Sequence, residues 1–322
     1  MKRTNILLPL ALLAFSLAAC QSSSSKKIAI IQLGTHTSLN EINEAIQKKI
    51  KDANKGYEIV YRNAEFSLDQ AAQIVSSLKD NVDLAIAIAT PIAQACYNGF
   101  SEKTPIVFAA VSDPVGAGLI KNLEAPESNI TGTSDAIQVA SILDKARLVD
   151  PDLDQLGFIY NPAEANSVSN KAKVEEYCTN YGIQLNAVTI SAVGEMSEIA
   201  SSLINRVDAV FVSDDNTVAS AMSVLGSICR DAGKPCYVGA DSMVKDGGMM
   251  CIGINYTILG EKTGEMALDI LGGKKVSEVP VKIFNDNLNL YLNKTYVEEA
   301  DIEIPAEILN DPMLVEIEEE NA

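Results

Sequence analysis

From Lys27 onward, short apolar runs alternate with amphipathic stretches of helical length. "KIAIIQL" predicts a strand and residues 38–52 a helix; "YEIVYR" a strand and residues 68–78 a helix. "VDLAIAIA" is nearly all apolar, as a strand covered on both faces should be, and a helix over 91–100 and the strand "PIVFAAV" follow it. The rhythm then lapses into "SDPVGAGLIKNLEAPESNITGTSD", rich in Gly, Pro, Ser and Asn, which reads as a connector. It resumes with helix 136–149, strand "QLGFIY", helix 163–181, strand "IQLNAVTI", helix 195–205, strand "VDAVFV" and helix 217–231. Strands "PCYVGA" and "GGMMCIGI", helix 256–271 and a tail of two short strands complete the chain. Repeated βα units predict parallel, doubly wound sheets. The series runs twice, so two α/β lobes of similar plan are expected, joined near residues 131–134, with further crossings near Asn255 and Ile283. In residue terms, 27–133 with 256–282 form the first lobe, and 134–255 with 283–322 the second.

The amino terminus follows another pattern. "MKRTNILLPLALLAFSLAAC" has a basic start, an apolar stretch too short for a comfortable membrane span, and small residues before Cys20. Residues 1–19 read as a secretory signal, and "LAAC" resembles a bacterial lipobox, which implies cleavage before Cys20 and a lipid on its sulfur. Residues 20–26 then form a lipidated tether, since "QSSSS" is the composition of a flexible linker.

The 322 residues are 47% hydrophobic and carry a net charge of −18, which supports real cores and disfavours nucleic acid and anionic surfaces as partners. Past Cys20, the five cysteines Cys96, Cys178, Cys229, Cys236 and Cys251 form no CxxC or Cys/His cluster. They read as small buried hydrophobes, with a Cys229–Cys236 bridge left open and no metal expected. The single histidine, His36, reads as structural. GxSxG, GxGxxG before a helix, and Walker A patterns are all missing, so neither an enzyme nor a nucleotide cofactor is expected.

Ligands of parallel α/β sheets bind at the carboxyl ends of strands. Those ends read "GTHTS", "ATP" and "VSDPV" in the first half, and "NPAEANS", "SDDNT" and "GADS" in the second. Ser, Thr, Asp and Asn are also ordinary helix caps. Their density at so many strand ends points to a ligand shared between the halves.

The motifs "SDPVGAGLI", "NITGTSD", "YNPAEANS", "DDNTVAS" and "NYTILGEKTGEMALDIL" together resemble the substrate-binding lipoproteins of ABC importers, including the TrpX-like aromatic amino acid binders. The likeness runs over nearly the whole mature chain. It implies a type I periplasmic-binding-protein fold in which two Rossmann-like lobes close on a small ligand and dock on a permease served by an ATPase. This chain departs from the pattern at Asn255, where Asp is common before Tyr256, and at Asp214, where Thr or Ser is common before the Asp-Asn pair of Asp215 and Asn216. Under the resemblance, Thr35, Thr90, Ser112 and Asp113 line the ligand site from the first lobe. Asn161, Glu164, Asn166, Ser167, Asp215, Asn216, Asp241 and Tyr256 complete it. The amide groups near Asn166 and Ser167 and the Ser167 hydroxyl suit a carboxylate, and Asp215 and Asp241 suit an ammonium, with Asp214 facing solvent or capping its helix. An α-amino acid fits, an aromatic one first. Two other readings stay open: a lipoprotein receptor feeding a membrane sensor, and a surface α/β enzyme.

Overall fold

The computed structural model describes residues 25–285 and 288–317. The signal segment and Cys20 lie outside the described residues, as does the end of the acidic tail. The chain runs β1 (Lys27–Gln32), α1 (Thr37–Asp52), β2 (Glu58–Asn63), α2 (Leu68–Leu78), β3 (Leu84–Ile88), α3 (Thr90–Gly99), β4 (Ile106–Ala109), β5 (Ile130–Ser134) and α4 (Val139–Val149). It continues with β6 (Gln155–Tyr160), α5 (Ala165–Tyr181), β7 (Gln184–Thr189), α6 (Met196–Ile204), β8 (Ala209–Val212), α7 (Asn216–Ala219) and α8 (Met222–Asp231). The remainder is β9 (Cys236–Val238), α9 (Asp241–Lys245), β10 (Met250–Gly253), α10 (Tyr256–Leu271), β11 (Lys282–Ile283), β12 (Asn289–Asn293), α11 (Lys294–Glu299), α12 (Ala306–Leu309) and β13 (Leu314–Ile317).

Two separate sheets result. One has the order β11-β5-β4-β3-β1-β2 and is parallel throughout. The other has the order β13-β12-β10-β9-β8-β6-β7 and is parallel except where β10 meets β12. In each, the first strand of the unit lies inside the order, so successive crossovers wind outward to both sides. That creates a switch point beside β1 in one sheet and beside β6 in the other, where ligands of such sheets sit. Strands β1, β3 and β4 are almost wholly buried, which explains their unbroken apolar sequences.

Helix α10 follows a strand of the second sheet yet packs along α1, beneath the first. Two glycines four residues apart allow the approach. A Cβ at Gly260 would lie 2.6 Å from the Ile42 carbonyl oxygen, and one at Gly264 2.9 Å from Lys49 Cβ. Gly260→Val is therefore expected to force the two helices apart and to cost about 1–3 kcal/mol. Urea denaturation of the ligand-free protein measures this as a lower midpoint; an unchanged midpoint would mean that the helices slide without loss.

Four parts differ from the sequence reading, the first being the tail, which among the described residues carries three strands and the helices α11 and α12 where two short strands were expected. The presumed connector contains β5, fully buried between β4 and β11. Its polar side chains are matched inside the protein: Thr131 Oγ1 donates to the Val279 carbonyl at 2.7 Å, and the Thr133 and Thr263 hydroxyls meet at 2.8 Å. Gly132 leaves no room for a Cβ against the Phe108 carbonyl oxygen, 2.1 Å from where it would lie. The helix expected over 217–231 is two helices, broken at Ala221 (φ −115°, ψ 17°). The break directs α8 so that Gly226 rests on the Gly247 carbonyl, 2.1 Å from the position a Cβ would take. The residues after β9, between two expected strands, form the short helix α9. All five cysteines past Cys20 are buried free thiols, with Cys229 and Cys236 in hydrogen-bond contact.

Candidate functional site

The carboxyl ends of the two sheets face each other across a cleft that side chains bridge directly. His36 Nε2 lies 3.1 Å from Asn216 Oδ1, Thr37 Oγ1 donates to Asp246 Oδ1 at 2.9 Å, and the Ser38 and Ser242 hydroxyls are 2.5 Å apart. Lys245 of α9 pairs with Glu41 of α1 at 3.0 Å and with its own helix's Asp241 at 3.1 Å. Ser169 Oγ donates to Asp113 Oδ2 at 2.8 Å, and Ser112 Oγ donates to Asp214. The first turn of α1 is thus latched onto α9, while the β4 end is clasped by α5 and the β8 end.

Between these contacts lies a cavity of about 20 Å³, lined by His36, Ser38, Leu39, Ala110, Asp135, Asn166, Asp214, Asn216, Ala219, Ala240, Met243 and Tyr256. That space holds about one water molecule, so entry of any larger ligand requires the lobes to part and the cleft side chains to re-pack. A larger groove of about 740 Å³ opens at the other end of the first sheet, beside Pro105 and Asn129. It lies away from both switch points, and its lysines Lys103, Lys274 and Lys275 are interspersed with Glu102 and Glu127.

The cavity's charge is acidic. Asp135 follows β5 directly and is buried; its Oδ2 accepts from the Tyr256 hydroxyl at 2.9 Å and its Oδ1 from Ser112 Oγ at 3.0 Å. Burial, reinforced by the nearby Asp214 charge, pushes the Asp135 carboxyl up to about 7 against the two hydrogen bonds. Asp214 Oδ1 accepts from Asn170 Nδ2 at 2.6 Å. Burial holds the His36 imidazole down at about 4, so it is neutral at physiological pH.

The sequence-derived residues divide into two groups. Ser112, Asn166, Asn216 and Tyr256 do meet at the cleft. Thr90 is buried at the first position of α3, its hydroxyl without a protein partner. The others are held by neighbouring protein groups. Thr35 is exposed and accepts from Asn63 Nδ2. Asp113 binds the Gly116 amide and Ser169. Asn161 braces the β6–α5 joint, its amide N–H on Asp215 Oδ2 and its side chain on Thr217. Glu164 reaches the start of α7, accepting from the Asn216 and Thr217 amides at 3.2 Å each and from both their side chains. Burial and the Asp215 charge push its carboxyl up to about 8. Asp241 is neutralised by Lys245.

Asp214 and Asp215 are placed differently from the expectation, the second capping a helix and the first lining the cavity. Asp215 caps α7, its Oδ1 accepting from the Val218 amide at 2.9 Å, while its Oδ2 accepts from the Asn161 amide at 2.6 Å and Ser167 Oγ at 2.7 Å. The Ser167 hydroxyl is thereby committed to Asp215 and is not free to hold a carboxylate. Asp214 faces the cavity. Adjacent side chains on an extended segment point to opposite sides, and the cap takes whichever acid leads into the helix. Sequence reasoning also missed His36, Ser38, Asp135 and Met243. Asp135 was legible only as part of "NITGTSD", whose strand went unrecognised.

Two facing α/β sheets, three chain crossings and a polar cleft at both switch points define a two-lobed ligand-binding protein of the type I periplasmic-binding-protein fold. Residues 27–316 match the family described as ABC transporter substrate binding protein, and the chain belongs to that family. It is 32% identical over 289 residues to a tyrosine-binding protein of Clostridioides difficile strain R20291, covering 88% of this chain and 83% of that one. Among solved structures it resembles an ABC domain from Streptococcus pneumonia in complex with L-Trp (TM-score 0.86, 29% identity, 91% of this chain and 100% of that one). It also resembles the ligand-free, open structure of a substrate-binding protein with adhesive properties from Clostridium difficile (TM-score 0.67, 33% identity, 92% and 100% covered). The better overlay is with the structure that holds L-Trp, in keeping with lobes that touch across the cleft.

Proposed function

We propose that this protein captures a small α-amino acid with an aromatic side chain between its lobes and delivers it to an ABC permease driven by its ATPase. The observation that carries this reading is the pair of carboxylates, Asp135 and Asp214, converging on one cavity at the interlobe cleft with no lysine or arginine among its lining residues. Such a pair calls for a cation, because like charges in a buried site are costly alone. An α-ammonium supplies it. The ligand carboxylate goes to the start of α1, where Ser38 and Leu39 line the cavity and the N-cap residue, His36, makes no capping hydrogen bond from its side chain. The free N–H groups and positive end of a 16-residue helix suit an anion. Leu39, Ala110, Ala219, Ala240 and Met243 offer the apolar surface for a ring in a chain without Trp. The tyrosine and L-Trp named for the relatives support the aromatic choice. In this reading the body works outside the cytoplasm, tethered to the membrane through lipidated Cys20. Among the described residues no helix is long and apolar enough to cross a membrane.

A thermal-shift panel of the twenty amino acids, run on protein stripped of ligand, tests the reading. Tyrosine, tryptophan or phenylalanine should stabilise most, by about 2.7 kcal/mol at a hundredfold excess over Kd. A flat response to amino acids with a clear shift from a sugar or purine would overturn it.

A further inference from the structure

An ammonium carries three N–H donors and no acceptor, so a site built for a primary amine should present three acceptors. Two are Asp135 and Asp214. Ser112 Oγ lies against both, 3.0 Å from Asp135 Oδ1 and in contact with Asp214 Oδ2, but has only one proton to share between them. Tyr256 and Asn170 each satisfy one further oxygen of the pair. The third acceptor is on α5. Asn166 is 3% exposed and lines the same cavity. Its Nδ2 donates to the Asp214 carbonyl at 3.2 Å, which orients the amide, and its Oδ1 is buried with no partner. A buried amide oxygen without a donor is rare in folded proteins, and this one belongs to a residue lining the same cavity as two carboxylates that share one hydroxyl proton.

We infer that Asn166 Oδ1, Asp135 and Asp214 form a three-acceptor socket for a primary ammonium, so that the protein selects primary amino acids against N-methylated ones. This rests on the amino-acid reading above and adds to it a reason for selectivity at nitrogen. An N-methyl group removes one of the three N–H donors and sets a carbon against an acceptor. One buried oxygen then loses its partner, and sites that hydrogen-bond a substrate N–H reject analogues lacking it.

The test is calorimetric titration with L-tyrosine, L-tryptophan and the N-methyl derivative of each. Wild type should bind the methylated compounds at least tenfold more weakly than the parents. Asn166→Ala removes the acceptor and makes room for the methyl group. It should weaken the parent amino acids about tenfold and reduce the discrimination to about threefold or less. If the alanine variant fails to fold, the wild-type comparison of parent and methylated ligands still decides the socket. Equal binding of parent and methylated ligands by wild type would overturn the socket while leaving the amino-acid reading intact. An unchanged preference in a folded Asn166→Ala variant would remove Asn166 from it. Binding of neither parent amino acid would instead overturn the reading beneath.

Discussion

Asp214→Asn is expected to abolish high-affinity amino-acid binding with little effect on the fold, whereas Asp215→Asn should destabilise the fold and leave the cavity's charge in place. The two acids are adjacent in "SDDNT", but their surroundings differ. Asp214 meets Ser112 across the cleft and lines the cavity. Removing its charge leaves a buried ammonium short of a partner, a loss of about 2–5 kcal/mol, or roughly thirtyfold to several thousandfold in affinity. Asp215 is fully buried and accepts three hydrogen bonds, from Val218, Asn161 and Ser167. Asparagine offers one oxygen in place of two and turns an amide N–H₂ toward a donor, so at least one buried group is orphaned, at about 1–3 kcal/mol. Thermal unfolding of both ligand-free variants, with titration of tyrosine and tryptophan, separates the outcomes. Wild-type affinity in a folded Asp214→Asn protein would place the ammonium elsewhere, and an unchanged melting temperature for Asp215→Asn would refute its capping role.

That placement shows where sequence reasoning gave out. The βα rhythm determines which strand ends carry polar residues, so the cleft could be located from "NPAEANS", "SDDNT" and "VSDPV" alone. Elements with strong periodicity and clear ends, such as α2 and α10, fall where the pattern puts them. The losses occur where tertiary contacts override local signal. β5 is short, and its Thr, Gly and Ser residues become strand only because Val279, Thr263 and Phe108 accommodate them. The five residues of α9 are too few to show a period, yet its Lys245 latches the lobes. Within the site, type of residue was legible and direction was not. Nothing local distinguishes a carboxylate that caps a helix from its neighbour that faces the cleft. A lone histidine gives no sign that folding will bring it within 3.1 Å of an asparagine 180 positions away.

Binding is also expected to weaken as the solution is acidified, with release of a proton. In the ligand-free site, burial and the Asp214 charge hold the Asp135 carboxyl at about 7, against an ordinary 3.8. An ammonium beside it favours the charged form and pulls the value down, so below pH 7 the ligand must displace a proton. Through Asp135 alone the affinity should therefore fall about tenfold per unit below pH 7, and at pH 5 should be about a hundredfold weaker than at pH 8. His36 acts in the same direction. Its value is lowered from 6.5 to about 4 in the closed cleft, so the stability it lends to closure is lost as pH falls from about 6.5 through about 4. Fold stability without ligand moves the other way. The raised carboxyls of Asp135 and Glu164 contribute stability at acid pH that is lost as pH rises through about 7 and about 8. Titrations at pH 8, 7, 6 and 5, each in two buffers of different ionisation enthalpy, measure both the affinity and the protons released, of which Asp135 accounts for about 0.9 at pH 6. Asp135→Asn should bind weakly at every pH and keep only the dependence below pH 6.5 that belongs to His36, and His36→Gln should keep the one that begins near 7. A wild-type affinity constant from pH 8 to pH 5 would mean that Asp135 is already charged before the ligand arrives, and that the cleft of the free protein is wetter than its closed geometry implies.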